Sequence, residues 1–262
     1  MTRIRSVKVV LLVVALAALV VTALSNAEVT RKGNLQLALT GELNPDRLPR
    51  SGKAPVAVEI GGKVTTTDGS EPPKLKTLAI DLNSNGELDS KGLPVCAYES
   101  IQPATSSRAR AACKNSLVGK GSFEAEISLS GQRAYVTKGD MLVFNGREGG
   151  KNVLFGHIYA ARPAAISFVI VFKIQERGKG TFGTSLAATL PPSLLNWGNI
   201  TGIEIKLQRS FSSHGKRHSY ISAGCPTPKG VPKATFPLTR TTFGFTDGRK
   251  LSQTLVRTCK AR

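Results

Sequence analysis

The sequence predicts an all-β fold, an antiparallel β-sandwich of jelly-roll-like build with one short helix near residues 106–117. Three observations carry that expectation. Apolar residues recur at every second position along many short runs, as in strands with one face buried. The pairs Asp68-Gly69, Asn85-Gly86, Asn145-Gly146 and Asp247-Gly248 punctuate those runs, and each favours a tight reversal. Only the stretch 106–117 repeats small and apolar residues at helical spacing.

In chain order, residues 1–27 read as a secretory leader. Arg3, Arg5 and Lys8 precede an uncharged run at 9–24, and Ser25-Asn26-Ala27 puts small residues at positions −3 and −1. Cleavage is expected between Ala27 and Glu28. Sixteen apolar residues rise about 24 Å as a helix, short of the roughly 30 Å hydrocarbon core. Release is therefore favoured over the alternative, an uncleaved N-terminal tether. The leader has no Arg-Arg pair and no cysteine to lipidate, and no hydrophobic tail ends the chain. Free secretion, with no membrane contact after cleavage, is the expectation.

Cleavage leaves 235 of 262 residues, enough to bury a core unaided. Cys96, Cys113, Cys225 and Cys259 then mark an oxidising compartment. Four cysteines permit three pairings, and the local ones, Cys96–Cys113 and Cys225–Cys259, are expected because each brackets one continuous segment. Metal binding by the cysteines is not indicated, since there is no C-x-x-C and no tight cysteine–histidine cluster.

Leu35, Leu37 and Leu39 open the alternation; Val56, Val58 and Ile60, then Leu78, Ile80 and Leu82, continue it. The stretch 44–55 and Glu71-Pro72-Pro73 read as loops. In the helical stretch, Ala109, Ala112, Cys113 and Leu117 share a face, Ser106 or Ser107 caps it, and Cys113 points inward toward Cys96. Phe123, Ala125, Ile127 and Leu129 form a further strand, Ile203, Ile205 and Leu207 another. The run 166–174 is apolar on both faces, as in an interior strand. A boundary between two lobes near Gly131 is an alternative to one continuous sandwich.

Each catalytic or ligand-binding pattern meets a simpler reading. Asp81-x-Asn83-x-Asn85-Gly86 imitates half a calcium loop, but position 12 is Gly92 and the entering segment is a strand. The glycines of 178–183 match G-x-G-x-x-G without the parallel βαβ setting, so no dinucleotide cofactor is expected. Glu124 and Glu126 share one strand face about 6.6 Å apart, near the carboxylate spacing of inverting glycosidases. Their strand distantly resembles the carboxylate-bearing strand of laminarinase-type glycosidases, yet Ser128 stands near that family's third acid and its intervening Asp is missing. The wet side of an amphipathic strand explains both residues. His214 and His218, four apart as on one side of a strand, sit beside Lys216 and Arg217, which oppose a metal. Ser213-x-x-Lys216 lacks the partner motifs of penicillin-binding enzymes. His157 reads as a core or edge histidine, and Trp197 as core in preference to a sugar platform. Glu124, Glu126, His157 and Trp197 remain the candidates for a shared cleft.

Charge is the compositional outlier. Removing Arg3, Arg5 and Lys8 lowers the formal net from +19 to +16, which favours polyanions. The cations are scattered and aromatics few, so no specific nucleic-acid platform is indicated.

Gly92-Leu93-Pro94-Val95-Cys96, Val118-Gly119-Lys120-Gly121, His157-Ile158-Tyr159, the segment 219–226 (SYISAGCP) and Thr258-Cys259 together resemble exported β-rich proteins of high-GC Gram-positive soil bacteria. The resemblance implies export and β class and carries no function over. The resulting expectation is a secreted, disulfide-bonded, basic β-sandwich without catalytic activity that binds an anionic envelope or extracellular polymer. A polysaccharide- or wall-acting hydrolase and a structural surface protein are the alternatives.

Overall fold

The computed structural model describes residues 27–127, 134–162 and 165–262, apart from the side chain of Trp197. The leader, Leu129 and the lobe boundary near Gly131 lie outside the described residues. In order, the elements begin with β1 (Glu28–Lys32), β2 (Leu35–Asn44), β3 (Arg47–Leu48), β4 (Ala54–Pro55), β5 (Ala57–Thr66), β6 (Leu75–Asn83) and β7 (Gly86–Leu88). Helix α1 (Ser106–Ala112) precedes β8 (Leu117–Ile127), β9 (Tyr135–Glu148), β10 (Lys151–Ala160), β11 (Ile166–Glu176) and β12 (Phe182–Thr189). Helix α2 (Pro192–Trp197) leads into β13 (Asn199–Leu207), β14 (Ser210–Ser213), β15 (Lys216–Ser219), β16 (Ile221–Ala223), β17 (Lys233–Phe245) and β18 (Lys250–Ala261).

Thirteen strands form one sheet in the order β1-β2-β5-β13-β8-β9-β10-β11-β12-β6-β17-β18-β3, antiparallel except where β3 joins β18. The sheet curls until its ends meet. β1 and β2 both contact β18, and the Glu28 carboxylate accepts from the Val256 backbone N–H (3.1 and 3.2 Å) and from Arg257 Nη1 (3.0 Å). Two glycines let the facing layers approach: a Cβ on Gly62 would lie 2.5 Å from the Phe243 ring, and one on Gly41 2.6 Å from Leu255. Alternate residues of each strand fill the space between, as Leu35, Leu37 and Leu39 do on β2 and Leu78, Ile80 and Leu82 on β6. Fully burying each such side chain contributes roughly 1.5–3 kcal/mol. Strands from both sides of residue 131 share this sheet, and β13 lies between β5 and β8.

A second core lies on the outer face of β9, β10 and β11. There Leu142, Phe144, Val153, Phe155 and Val169 are covered by the segment carrying Cys96, Ile101, Ala109 and Cys113. This cover explains why residues 166–174 are apolar on both sides. Both local disulfides form, Cys96–Cys113 with Cα atoms 5.3 Å apart and Cys225–Cys259 with 6.0 Å.

Several local expectations need correction. The helix cap is Thr105, whose side chain accepts from the Arg108 N–H, and not Ser106 or Ser107. The helix stops at Ala112 before a 3-10 turn at Lys114–Ser116. A second short helix follows Pro191, where Pro192 falls in the first turn and its missing N–H costs nothing. Asn145-Gly146 is no turn. It lies inside β9, where Asn145 Nδ2 donates to the Pro94 carbonyl (3.0 Å) and Gly146 makes room for the Phe155 ring. The reversal falls at Gly149-Gly150, both at positive φ. The proline stretch 44–55 holds the two short strands β3 and β4. His214 and His218 do not share one strand side: His214 sits at φ 49° in the turn between β14 and β15, and His218 is on β15.

Candidate functional site

Of the four residues expected to share a cleft, Glu124 and His157 stand in different surroundings. Glu124 lies on the outer face of β8, its two carboxylate oxygens held by Lys63 (2.8 Å) and Lys138 (3.0 Å). Burial opposes its charge, but the two lysine hydrogen bonds prevail and keep the carboxyl below its ordinary range. Glu124 lines an open depression of about 410 Å³ between Lys63, Lys138 and Glu204. Glu126, two residues on, is not among the residues lining it; burial, then the nearby Glu71, raises its pKa. His157 is fully buried on β10 beneath the α1 segment, its Nε2 3.0 Å from the Ala104 carbonyl and 3.3 Å from Ser167 Oγ. Burial pushes its pKa down and leaves the imidazole no path to a substrate. Trp197 ends α2, and its side chain lies outside the described residues. Ala27 is exposed just before β1, which begins at Glu28.

The calcium-like motif is engaged otherwise. Asp81 is almost fully buried (4% exposed) between two half-exposed arginines: Oδ1 faces Arg177 Nη2 at 3.0 Å, and Oδ2 takes Arg240 Nη2 at 2.7 Å and Nε at 3.0 Å. Asn83 closes a local turn by accepting from the Asn85 N–H and donates to the Pro237 carbonyl. With two cations on its carboxylate, Asp81 is unsuited to holding a metal ion. Among the described residues no group of three or more His, Cys, Asp or Glu is placed to bind one.

Beside this cluster, which adds no side chain to its lining, an open groove of about 570 Å³ lies on the outer face of β11, β12, β6, β17 and β18. Strand register builds it. Lys173, Ala187, Ala79, Thr242 and Ser252 lie abreast across the five strands. At about 4.8 Å per strand this row spans roughly 19 Å. Thr189 and Thr77 extend the floor on one side, toward Lys250. On the other side, Asp81 lies abreast of Arg240. Short side chains make the floor flat because no residue on it is larger than threonine between Lys173 and Ser252.

Lys173, Lys250 and Glu148 are the charged residues of the lining, all exposed, with Glu148 3.8 Å from Lys173; Arg177 and Arg240, beyond the lining, keep 43% and 41% of their side-chain surface in solvent. The Arg240 guanidinium lies 4.9 Å over the Phe182 ring, within cation–π range. Two lysines against one carboxylate leave the charge of the lining positive on balance. A flat trough lined by two exposed lysines can receive an extended chain carrying carboxylate or phosphate groups. It holds no nucleophile paired with a base. Sequence reasoning saw Asp81 only as a metal motif, because Arg177 and Arg240 join it through strand pairing. Among the described residues no helix is long and apolar enough to cross a membrane. No family model, curated protein or solved structure matches the chain.

Proposed function

We propose that this is an exported, non-catalytic binding module for an anionic polymer of the cell envelope or extracellular space, and that the groove across β11, β12, β6, β17 and β18 is its binding face. The observation that supports this best is the small-residue floor lined by Lys173 and Lys250, with the half-exposed Arg177 and Arg240 beyond it around the shielded Asp81. The two disulfides fit an oxidising compartment, and the leader-like residues 1–27 supply the route out. Binding of this kind draws on many screened contacts, so it must weaken as salt rises.

The test is co-sedimentation of the purified oxidised protein with cell wall, intact and stripped of its phosphate- and carboxylate-bearing polymers. Binding should require those polymers, fall at least tenfold between about 0.05 and 0.5 M salt, and be lost in the Lys173→Glu/Lys250→Glu variant. Equal binding to stripped wall, indifference to salt, or an unaffected variant would overturn the reading. So would release of soluble sugar from the wall, which is the outcome expected of a hydrolase acting through Glu124 and Glu126.

A further inference from the structure

A second concentration of charge sits on the part of the sheet built by β13 and β8. Its starting point is an unfavourable pairing. Lys120 of β8 and Lys206 of β13 are direct cross-strand partners, and like charges so placed destabilise a sheet. Lys206 finds relief on its other side, where Glu59 of β5 lies 3.0 Å away; that hydrogen bond raises its pKa. Lys120 has no acidic partner among the described residues. Its own neighbour in the next strand is Leu142 of β9, part of the second core.

Two arginines reach the same place. Arg110, on the exposed side of α1, lines a pocket of about 180 Å³ together with Lys120, Lys206 and Arg209. The position of Arg110 is set by α1, whose buried Ala109 packs in the second core and whose last turn ends at the disulfide-bonded Cys113. Arg209 follows β13, and its Nε is shielded from solvent with no acceptor. A buried donor without a partner costs about 1–3 kcal/mol. Gly119 lines the pocket through its backbone. Arg110, Lys120 and Arg209 thus face one small pocket with no carboxylate among its lining residues, while the one acid bonded to Lys206 lies on the far side.

We infer that this pocket is a binding site for a single tetrahedral oxyanion, a phosphate or a terminal phosphate or sulfate ester, separate from the polymer groove. A pocket of this size suits one such group, and a tetrahedral anion accepts hydrogen bonds from several directions, as three converging cations require. An anion here also relieves the repulsion between Lys120 and Lys206. The site needs nothing from Lys173 or Lys250, so it stands or falls independently of the groove.

Calorimetric titration of the oxidised protein tests it, with inorganic phosphate, inorganic sulfate, glycerol phosphate and a poly(glycerol phosphate) chain, at constant ionic strength set by chloride. Phosphate and glycerol phosphate should bind at one site per molecule. Arg110→Gln and Lys120→Gln, both at exposed positions, should each weaken phosphate at least tenfold. The Lys173→Gln/Lys250→Gln variant should leave phosphate affinity unchanged. No binding of either small phosphate, binding of the polymer alone, or affinity indifferent to Arg110→Gln and Lys120→Gln would overturn the assignment. Weakening by the groove variant to the same extent would overturn it as well, by showing one diffuse field instead of a separate site.

Discussion

His157 shows how one buried side chain sets a pH response. Burial lowers its pKa below the ordinary value of 6.5. The unfolded chain therefore takes up a proton before the folded one does. Stability from this residue is complete above about pH 6.5 and is lost as pH falls below it. His157→Gln should lower the melting temperature at pH 8, where the Nε2 contact to the Ala104 carbonyl is lost. It should also flatten the decline between pH 7 and 5. A decline as steep as in the parent would show that another group governs acid sensitivity. The burial of His157 was readable from its apolar neighbours Leu154, Phe155 and Ile158. The partners of Asp81 were not, because Arg240 lies 159 residues away and meets it only once β6 and β17 pair.

At the scale of elements, periodicity transferred well and turn chemistry did not always. The alternating leucines of β2 and the apolar residues of β6 are buried where their spacing placed them. Asn145-Gly146 misled because glycine also serves where two side chains cannot both fit. A Cβ on Gly146 would stand 2.3 Å from the Phe155 ring. Gly146→Ala should accordingly cost about 1–3 kcal/mol by overpacking, measured by denaturant unfolding; a loss below about 0.5 kcal/mol would mean the ring simply turns aside. The cover over β9–β11 was half legible. Cys113 was expected to point inward toward Cys96, and it does. That the segment from Cys96 to Ser116 is the roof was not: the run 166–174 signals that both faces of β11 are covered, but not by which part of the chain. The groove was hidden for the same reason: its floor is drawn from strands far apart in sequence.

For the whole molecule, the class of fold and both cysteine pairings were open to a reading of the sequence, whereas the closure of the sheet was not. Nothing in the residues near Glu28 announces that its carboxylate will meet Val256 and Arg257 at the far end of the chain. The disulfides contribute unequally. Opening the 17-residue loop of Cys96–Cys113 should cost about 3 kcal/mol and the 34-residue loop of Cys225–Cys259 about 4 kcal/mol on chain-entropy grounds. Denaturant midpoints of the Cys96→Ser/Cys113→Ser and Cys225→Ser/Cys259→Ser variants check this, and the reverse order would point to strain or residual structure instead. The placement of Cys259 has a mechanical consequence. A pull on the carboxyl end passes within a few residues into a covalent link and cannot peel β18 away. A pull on the amino end loads the β1–β2 ladder one rung at a time, beginning at Glu28 opposite Leu39. Stretched between its two ends, the molecule gives way at the amino side first, while the carboxyl side holds like a riveted seam.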